Sequence, residues 1–289
     1  MARPIVRLLG IPIDAITTEE TLRLIGQAIE ARLPLQIATV NPEFLVAART
    51  NRSFRHALKD AQLRIPDGAG LRAMARFQGL SLPGWQPARA LLAFGQLLGS
   101  ELALLAQDAS LAHPLPETIT GTDLVDRIAK QAAAVGWRLY LAGSQPGIAA
   151  RAAAVLKARY PGLIIAGAEE GPPDPRHRQG NFNEHVAGFL DRVRSAQADV
   201  LFLAFGAPRQ DEFLSEHRRQ LGVPVTMGVG GAFDFISGQV KRAPDWIRSL
   251  GLEWLWRLIV QPWRLGRILA AIVVFPWLVL VDRQKIRSH

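Results

Sequence analysis

Between Ile5 and Gly230 the chain alternates short apolar runs with amphipathic stretches; the runs are IVRLLGIPI, LQIATV, QLRI, RLYLAG, LIIAG, DVLFLAFG and PVTMGVG. Each run is followed by a Gly, Pro or Asn signal, which predicts a strand, and the amphipathic stretches between them predict helices. Thr17 and Glu20 have capping-box spacing for a helix to about Arg32. Pro42 is suited to open a second helix running to Ala61. This alternation predicts an α/β fold, a mainly parallel sheet with helices on both faces. Ligands of such sheets sit beyond the C-terminal ends of the strands.

Two segments depart from the rhythm. From Leu82 to Glu117, bounded by Pro83, Pro87, Pro114 and Pro116, an apolar middle with Leu91, Leu98, Leu102 and Leu105 predicts an inserted helix, which either joins the core or meets a membrane or partner. From Ile268 to Val281, fourteen residues carry no charge. As a helix they span only about 21 Å, short of the roughly 30 Å of a bilayer core. Pro276 interrupts them, and Arg264, Arg267, Arg283, Lys285 and Arg287 flank them. That pattern suits a segment lying in or dipping into the anionic cytoplasmic face of a membrane. The expected division is a core over 1–238 and a basic, membrane-associating appendage over 239–289.

Composition narrows the classes. With 289 residues, 49% hydrophobic and 20% charged, the chain can bury a sizeable core, so global disorder is excluded. The absence of cysteine removes disulfides, thiolate metal sites, iron–sulfur ligation and thiol catalysis, and it fits a cytoplasmic protein. No secretory signal is read at the N-terminus. The net charge is +9, and six of these charges lie from Gln239 onward. Nucleic acid, an anionic membrane and a phosphorylated ligand all suit such basicity, and the adjoining apolar run favours the membrane.

Familiar devices are missing. There is no G-x-x-x-x-G-K-[ST], the glycines from Gly228 lack the last one of G-x-G-x-x-G, and the six histidines include no H-E-x-x-H. P-loop, dinucleotide and metal readings therefore fall. Four strand ends remain. Thr39 and Asn41 place a hydroxyl and an amide where a sugar or phosphate can bind, although capping alone would also explain Asn41. Asp67 follows a strand-ending proline, and Gly68 and Gly70 either turn the backbone closely around whatever that carboxylate faces or form a plain Asp-Gly turn. After Gly206, Pro208 opens a helix whose free N–H groups suit a phosphate, with Arg209 and Gln210 as added donors. Gly228, Gly230 and Gly231 admit a bulky ligand close to the backbone, or make a strained turn. Beyond them, Lys241 and Arg242 lead into Trp246, Trp254, Trp256 and Trp263 among arginines, which suits nucleic acid or a membrane interface.

The pieces TVNPE (Thr39 to Glu43), PDGAG (Pro66 to Gly70), TGTDL (Thr120 to Leu124), YLAGSQP (Tyr140 to Pro146), GAPRQDE (Gly206 to Glu212), GVGGAFDFISGQVKRAP (Gly228 to Pro244) and GLEWLWRLIVQPWRLGR (Gly251 to Arg267) together resemble the WecG/TagA/CpsF glycosyltransferases. The resemblance implies a Rossmann-like α/β core with a C-terminal helical appendage. It also implies an inverting transferase needing neither metal nor cofactor, which moves a sugar from a UDP-sugar to a polyprenyl-diphosphate-linked acceptor at the cytoplasmic membrane face, in cell-surface polysaccharide synthesis. The family's catalytic carboxylate matches Asp67, and its polar pocket residues match Thr39 and Asn41. Its GxPxQE motif matches with Gln210 in place but Asp211 where Glu is usual. Arg257, Arg264 and Arg267 match appendage arginines that reach a diphosphate on closure. Thr118 stands where an arginine is common.

The chemistry agrees with that assignment. Inversion by one in-line displacement needs a single base, for which Asp67 is the candidate. The charge developing on UDP is met by backbone N–H groups and arginines, with Arg209 and Arg242 expected among them. N-acetylmannosamine or a related hexose is the expected sugar, UDP-glucose is the alternative donor, and a basic nucleic-acid-binding protein is the competing class. No nucleic-acid partner is expected, and the apolar insertion leaves room for a homo-oligomer.

Overall fold

The structure, a computed structural model, describes residues 3–80, 93–100, 108–174, 181–244, 246–247 and 252–286. The first apolar run is not one strand. It folds as a hairpin of β1 (Ile5–Leu8) and β2 (Ile11–Asp14), paired antiparallel and apart from the main sheet. Leu9 and Gly10, with φ of 50° and 76°, supply the two-residue turn that reverses the chain.

The other six runs form the expected sheet: β3 (Leu35–Val40), β4 (Leu63–Pro66), β5 (Arg138–Gly143), β6 (Ile164–Glu169), β7 (Val200–Ala204) and β8 (Val225–Gly228). All neighbours are parallel, in the order β4-β3-β8-β7-β5-β6. Alternate residues serve opposite faces. Ile37, Leu139, Leu141, Val200 and Phe202 belong to one hydrophobic cluster with Ile25, Ile128 and Ala152. Ala38 and Val40 face a second cluster, and Leu201 and Leu203 a third, on the other side. Covering both faces is what lets these strands be apolar throughout.

Helices follow the strands as patterned. The helix α1 (Thr18–Glu30) carries the capping box, with Thr17 Oγ1 accepting from the Glu20 amide and Glu20 accepting from the Thr17 amide. The single helix expected from Pro42 to Ala61 is two, α2 (Pro42–Thr50) and α3 (Arg52–Asp60). Asn51 breaks it by leaving helical geometry to cap α3, accepting from the Phe54 amide at 3.0 Å. Next come α4 (Ala69–Gly79), α5 (Gly121–Val135), α6 (Ile148–Arg159), α7 (Phe182–Ser195), α8 (Arg209–Leu221) and α9 (Ala232–Ile236).

Of the expected insertion, residues 93–100 are helical, with Ala93 and Leu97 buried in the second cluster and Phe94 and Leu98 exposed. Leu91, Leu102 and Leu105 lie outside the described residues. The appendage has α10 (Glu253–Val260), α11 (Leu265–Leu269) and α12 (Phe275–Ile286), the last two joined by a π turn at Ala270–Val274. The apolar helical stretch is therefore longer than the fourteen uncharged residues suggest. Pro262–Asp282 is long and apolar enough to cross a membrane by length and composition, with 28% of its apolar window buried. The π turn is where the helix absorbs Pro276, which has no N–H to give. One side packs on the second cluster through Phe275, Val279 and Leu280, whereas Leu269, Ile272, Val273 and Trp277 stay exposed.

Candidate active site

Because the strands are parallel, their C-terminal ends form one edge. The register pairs Thr39 with Ile65 and Val40 with Pro66, so the ends of β3 and β4 emerge side by side, and the Asp67 amide donates to the Val40 carbonyl at 2.7 Å. Gly68, at φ 107°, then turns the chain into α4. No residue with a β-carbon takes that angle readily, which is the physical meaning of the Asp-Gly pair.

Asp67 is enclosed by protein yet keeps part of its surface open. Burial pushes its carboxyl up to about 7. Arg257 opposes this, Glu253 adds to it, the Gly121 amide opposes it by hydrogen bonding, and Asp123 adds to it. Gly121 is the first residue of α5, so this carboxylate sits at a helix N-terminus as well. Thr39 is almost fully buried; its hydroxyl donates to the Gly228 carbonyl at 3.2 Å, and its methyl group lies 3.5 Å from where a Gly121 side chain would begin. Asn41 caps α2, its carbonyl oxygen accepting from the Phe44 amide at 3.0 Å.

Beside this recess lies a cleft of about 1300 Å³ beyond β5, β7 and β8. Gly206, Arg209, Gly230, Gly231, Arg264 and Arg267 line it, as does Asp234. Asp67, Thr39 and Asn41 do not. Arg257 is a charged neighbour of both Asp67 and Arg264, and its guanidinium lies 5.1 Å from the Phe235 ring centre. It therefore links the recess to the cleft.

The predicted cations are not idle. Arg209 donates to the carbonyls of Pro172 and Pro173 at 2.8 and 2.9 Å and lies over Phe205 at 4.3 Å. Arg242 pairs with Asp123 and Thr120 at the start of α5. Arg257 pairs with Glu253 at 3.0 Å, and Arg267 with Glu43 at 2.6 Å. Burial and the nearby Arg267 and Arg257 hold Arg264 below its usual pKa.

Two expectations need correction. The N-terminus of α8 does not offer a row of free donors: the amides of Gln210, Asp211 and Glu212 are taken by the carbonyls of Gly206 and Pro208. Nor does Gly228 make room for a ligand. A side chain there would begin 2.6 Å from Gln210 Nε2, so the space belongs to Gln210, which is fully buried.

Sequence reading did not single out Glu253, Asp123, Asp234 or Ser144. Thr120 and Asp123 were visible in TGTDL, but only the fold brings them to Asp67. Ser144, at φ 67°, donates to Asp234 at 2.8 Å in the cleft wall. Among the described residues no group of three or more His, Cys, Asp or Glu is arranged to hold a metal ion.

The family model described as "Glycosyl transferase WecG/TagA/CpsF family" matches residues 6–93 and 98–289, so all but residues 94–97 of the stretch expected as an insertion fall within the match, and the family does not lack that stretch. A Bacillus subtilis (strain 168) protein named N-acetylglucosaminyldiphosphoundecaprenol N-acetyl-beta-D-mannosaminyltransferase is 28% identical over 242 residues, covering 84% of this chain and 78% of its own. A Staphylococcus aureus (strain NCTC 8325 / PS 47) protein of the same name is 25% identical over 285 residues, 98% of this chain and 95% of its own.

Proposed function

The chain belongs to the glycosyl transferase WecG/TagA/CpsF family, and from that premise we propose that it transfers N-acetylmannosamine, or a related hexose, from a UDP-sugar to a polyprenyl-diphosphate-linked N-acetylglucosamine, with inversion and without a metal. The observation that carries this reading is Asp67, a strand-end carboxylate whose burial raises it to about 7 while Gly121 and Arg257 favour its charged form. A base with a pKa near the working pH can take the acceptor hydroxyl's proton as the sugar bond forms. The arginine-lined cleft suits the diphosphate, where cations and N–H groups meet the charge of the leaving group. Thr39, Asn41 and Gly68 shape the recess for the reacting sugar.

The appendage reads as a membrane contact on what would be the cytoplasmic face. Its helix is clamped to the core on one side, so its exposed apolar side suits lying in the surface of the bilayer. Each exposed large side chain that enters lipid contributes about 1.5–3 kcal/mol before ordering costs.

A screen of UDP-sugars against a short-chain polyprenyl-diphosphoryl-N-acetylglucosamine, read by product mass, tests donor and acceptor together. Transfer from a UDP-sugar that survives EDTA is the expected outcome; loss on chelation with rescue by Mg²⁺ overturns the metal-free mechanism. Replacing Ile272, Val273 and Trp277 together by serine should release the protein from anionic vesicles while sparing transfer to a short water-soluble acceptor. Unchanged vesicle binding would contradict the surface reading.

A further inference from the structure

The appendage starts soon after α9, and its first helix has no apolar anchor of its own. None of the residues of α10 is buried, so burial does not fix where Glu253 and Arg257 stand. The helix is tied instead to the chain that precedes it. The Trp256 indole donates to the Lys241 carbonyl at 3.1 Å, and the Arg257 guanidinium lies over the Phe235 ring. The first of these ties is only as firm as the segment that carries Lys241.

That segment is held by the next residue. The Arg242 guanidinium makes a two-pronged bond to the Asp123 carboxylate, one prong at 2.7 Å, and donates to the Thr120 hydroxyl at 3.2 Å. Thr120 in turn donates to Asp123 at 2.7 Å and, as the cap of α5, accepts from the Asp123 amide. Exposed ion pairs usually hold little, but a bidentate arginine with a third bond has the geometry that does. The far end of this contact is the reacting centre. The Ile119 amide bonds the Pro66 carbonyl at 2.8 Å, and a side chain at Gly121 would begin 3.5 Å from the Thr39 methyl group. The first turn of α5 therefore sits against the strand ends that carry Thr39 and Asp67. Arg242 itself does not line the cleft, whereas its neighbours Gln239, Val240 and Lys241 do.

We propose that Arg242 is a positioning residue and not a ligand of the donor diphosphate: with Asp123 and Thr120 it clasps the root of the appendage to the first turn of α5, and so holds α10, with Arg257, beside Asp67. The roles given to Asp67 and Arg257 rest on the proposed function, whereas the clasp rests on the three side chains that form it.

A double-mutant cycle tests the clasp. Arg242→Gln, Asp123→Ala and the two together should each speed hydrogen exchange over residues 253–260. Each should also lower kcat at saturating donor by about 10–100-fold, the cost of a misplaced group. The double variant should lie within about twofold of the worse single one. UDP affinity should stay within about threefold of wild type in all three. Arg242→Lys keeps the charge but loses the fork, so its kcat should fall between those of wild type and Arg242→Gln. Melting curves check that each variant is folded. A loss of UDP affinity in Arg242→Gln about tenfold beyond that in Asp123→Ala would show that the arginine meets the donor. Additive losses in kcat, or wild-type exchange over α10, would show that the two residues do not act as one. Either result overturns the clasp. Should the wild-type protein transfer no sugar, the roles of Asp67 and Arg257 fall by themselves, and the exchange pattern still decides the clasp.

Discussion

Asp67 and Asp211 are two aspartates with the same displaced pKa, each raised from 3.8 to about 7 chiefly by burial. Their surroundings differ. Asp67 keeps an open surface, accepts a hydrogen bond from Gly121 and faces the Arg257 and Glu253 charges. Asp211 is sealed in the first turn of α8, fully buried, with neither carboxylate oxygen hydrogen-bonded. A raised pKa is thus what enclosure does to any carboxylate, and it marks a proton acceptor only where substrate can reach it. On the proposed function, the comparison favours Asp67 and not Asp211 as the proton acceptor.

The largest expected effect separates the two. Asp67→Asn should lower kcat by about 10²–10⁴-fold and leave UDP affinity nearly intact, since shape and turn are kept while the base is lost. Asp211→Asn should retain kcat within a few fold. Turnover at saturating donor measures both, and equal losses would erase the distinction.

Stability gives the next effect. A carboxyl whose folded pKa is raised favours folding fully below pH 3.8, and loses that contribution as pH rises to about 7. Above that, the buried charge is a standing cost. Asp211→Asn should therefore stabilise the protein by about 2–4 kcal/mol at pH 8, with the gain fading towards pH 4. Asp67→Asn should show a gain of the same sign over the same pH range, because its pKa is displaced in the same way. Urea melts across pH check both signs, and a gain that grows at low pH would contradict them.

The smallest effects concern the charges around Asp67. Arg257→Gln should move the acid limb of kcat/KM to higher pH, and Glu253→Gln should move it lower, because the first opposes and the second adds to the raised pKa. Shifts in the same direction would show that neither charge acts on the base directly.

Much of this was legible in the chain. Six of seven apolar runs became strands of one parallel sheet, and the strand-end Pro-Asp-Gly placed Asp67 at its edge before any fold was known. The rest depended on which residues meet. The polar start of α8 looks outward-facing in sequence, but β8 packs on the side that carries Gln210 and Asp211. Gly121 reaches Asp67 only because the segment before α5 runs beside β4, where the Ile119 amide bonds the Pro66 carbonyl. Glu253 had no local signal at all. The apolar tail was legible in part: its uncharged stretch read as a membrane element, and only the fold shows that Phe275, Val279 and Leu280 on one side of it also close the core.

The central claim, that Asp67 and not Asp211 takes the acceptor's proton, is tested most directly by the pH dependence of kcat/KM in wild type, Asp67→Asn and Asp211→Asn. Wild type should lose activity as pH falls through about 7, the Asp211→Asn profile should keep that limb, and the residual activity of Asp67→Asn should lack it. A limb that persists in Asp67→Asn and vanishes in Asp211→Asn would contradict the account.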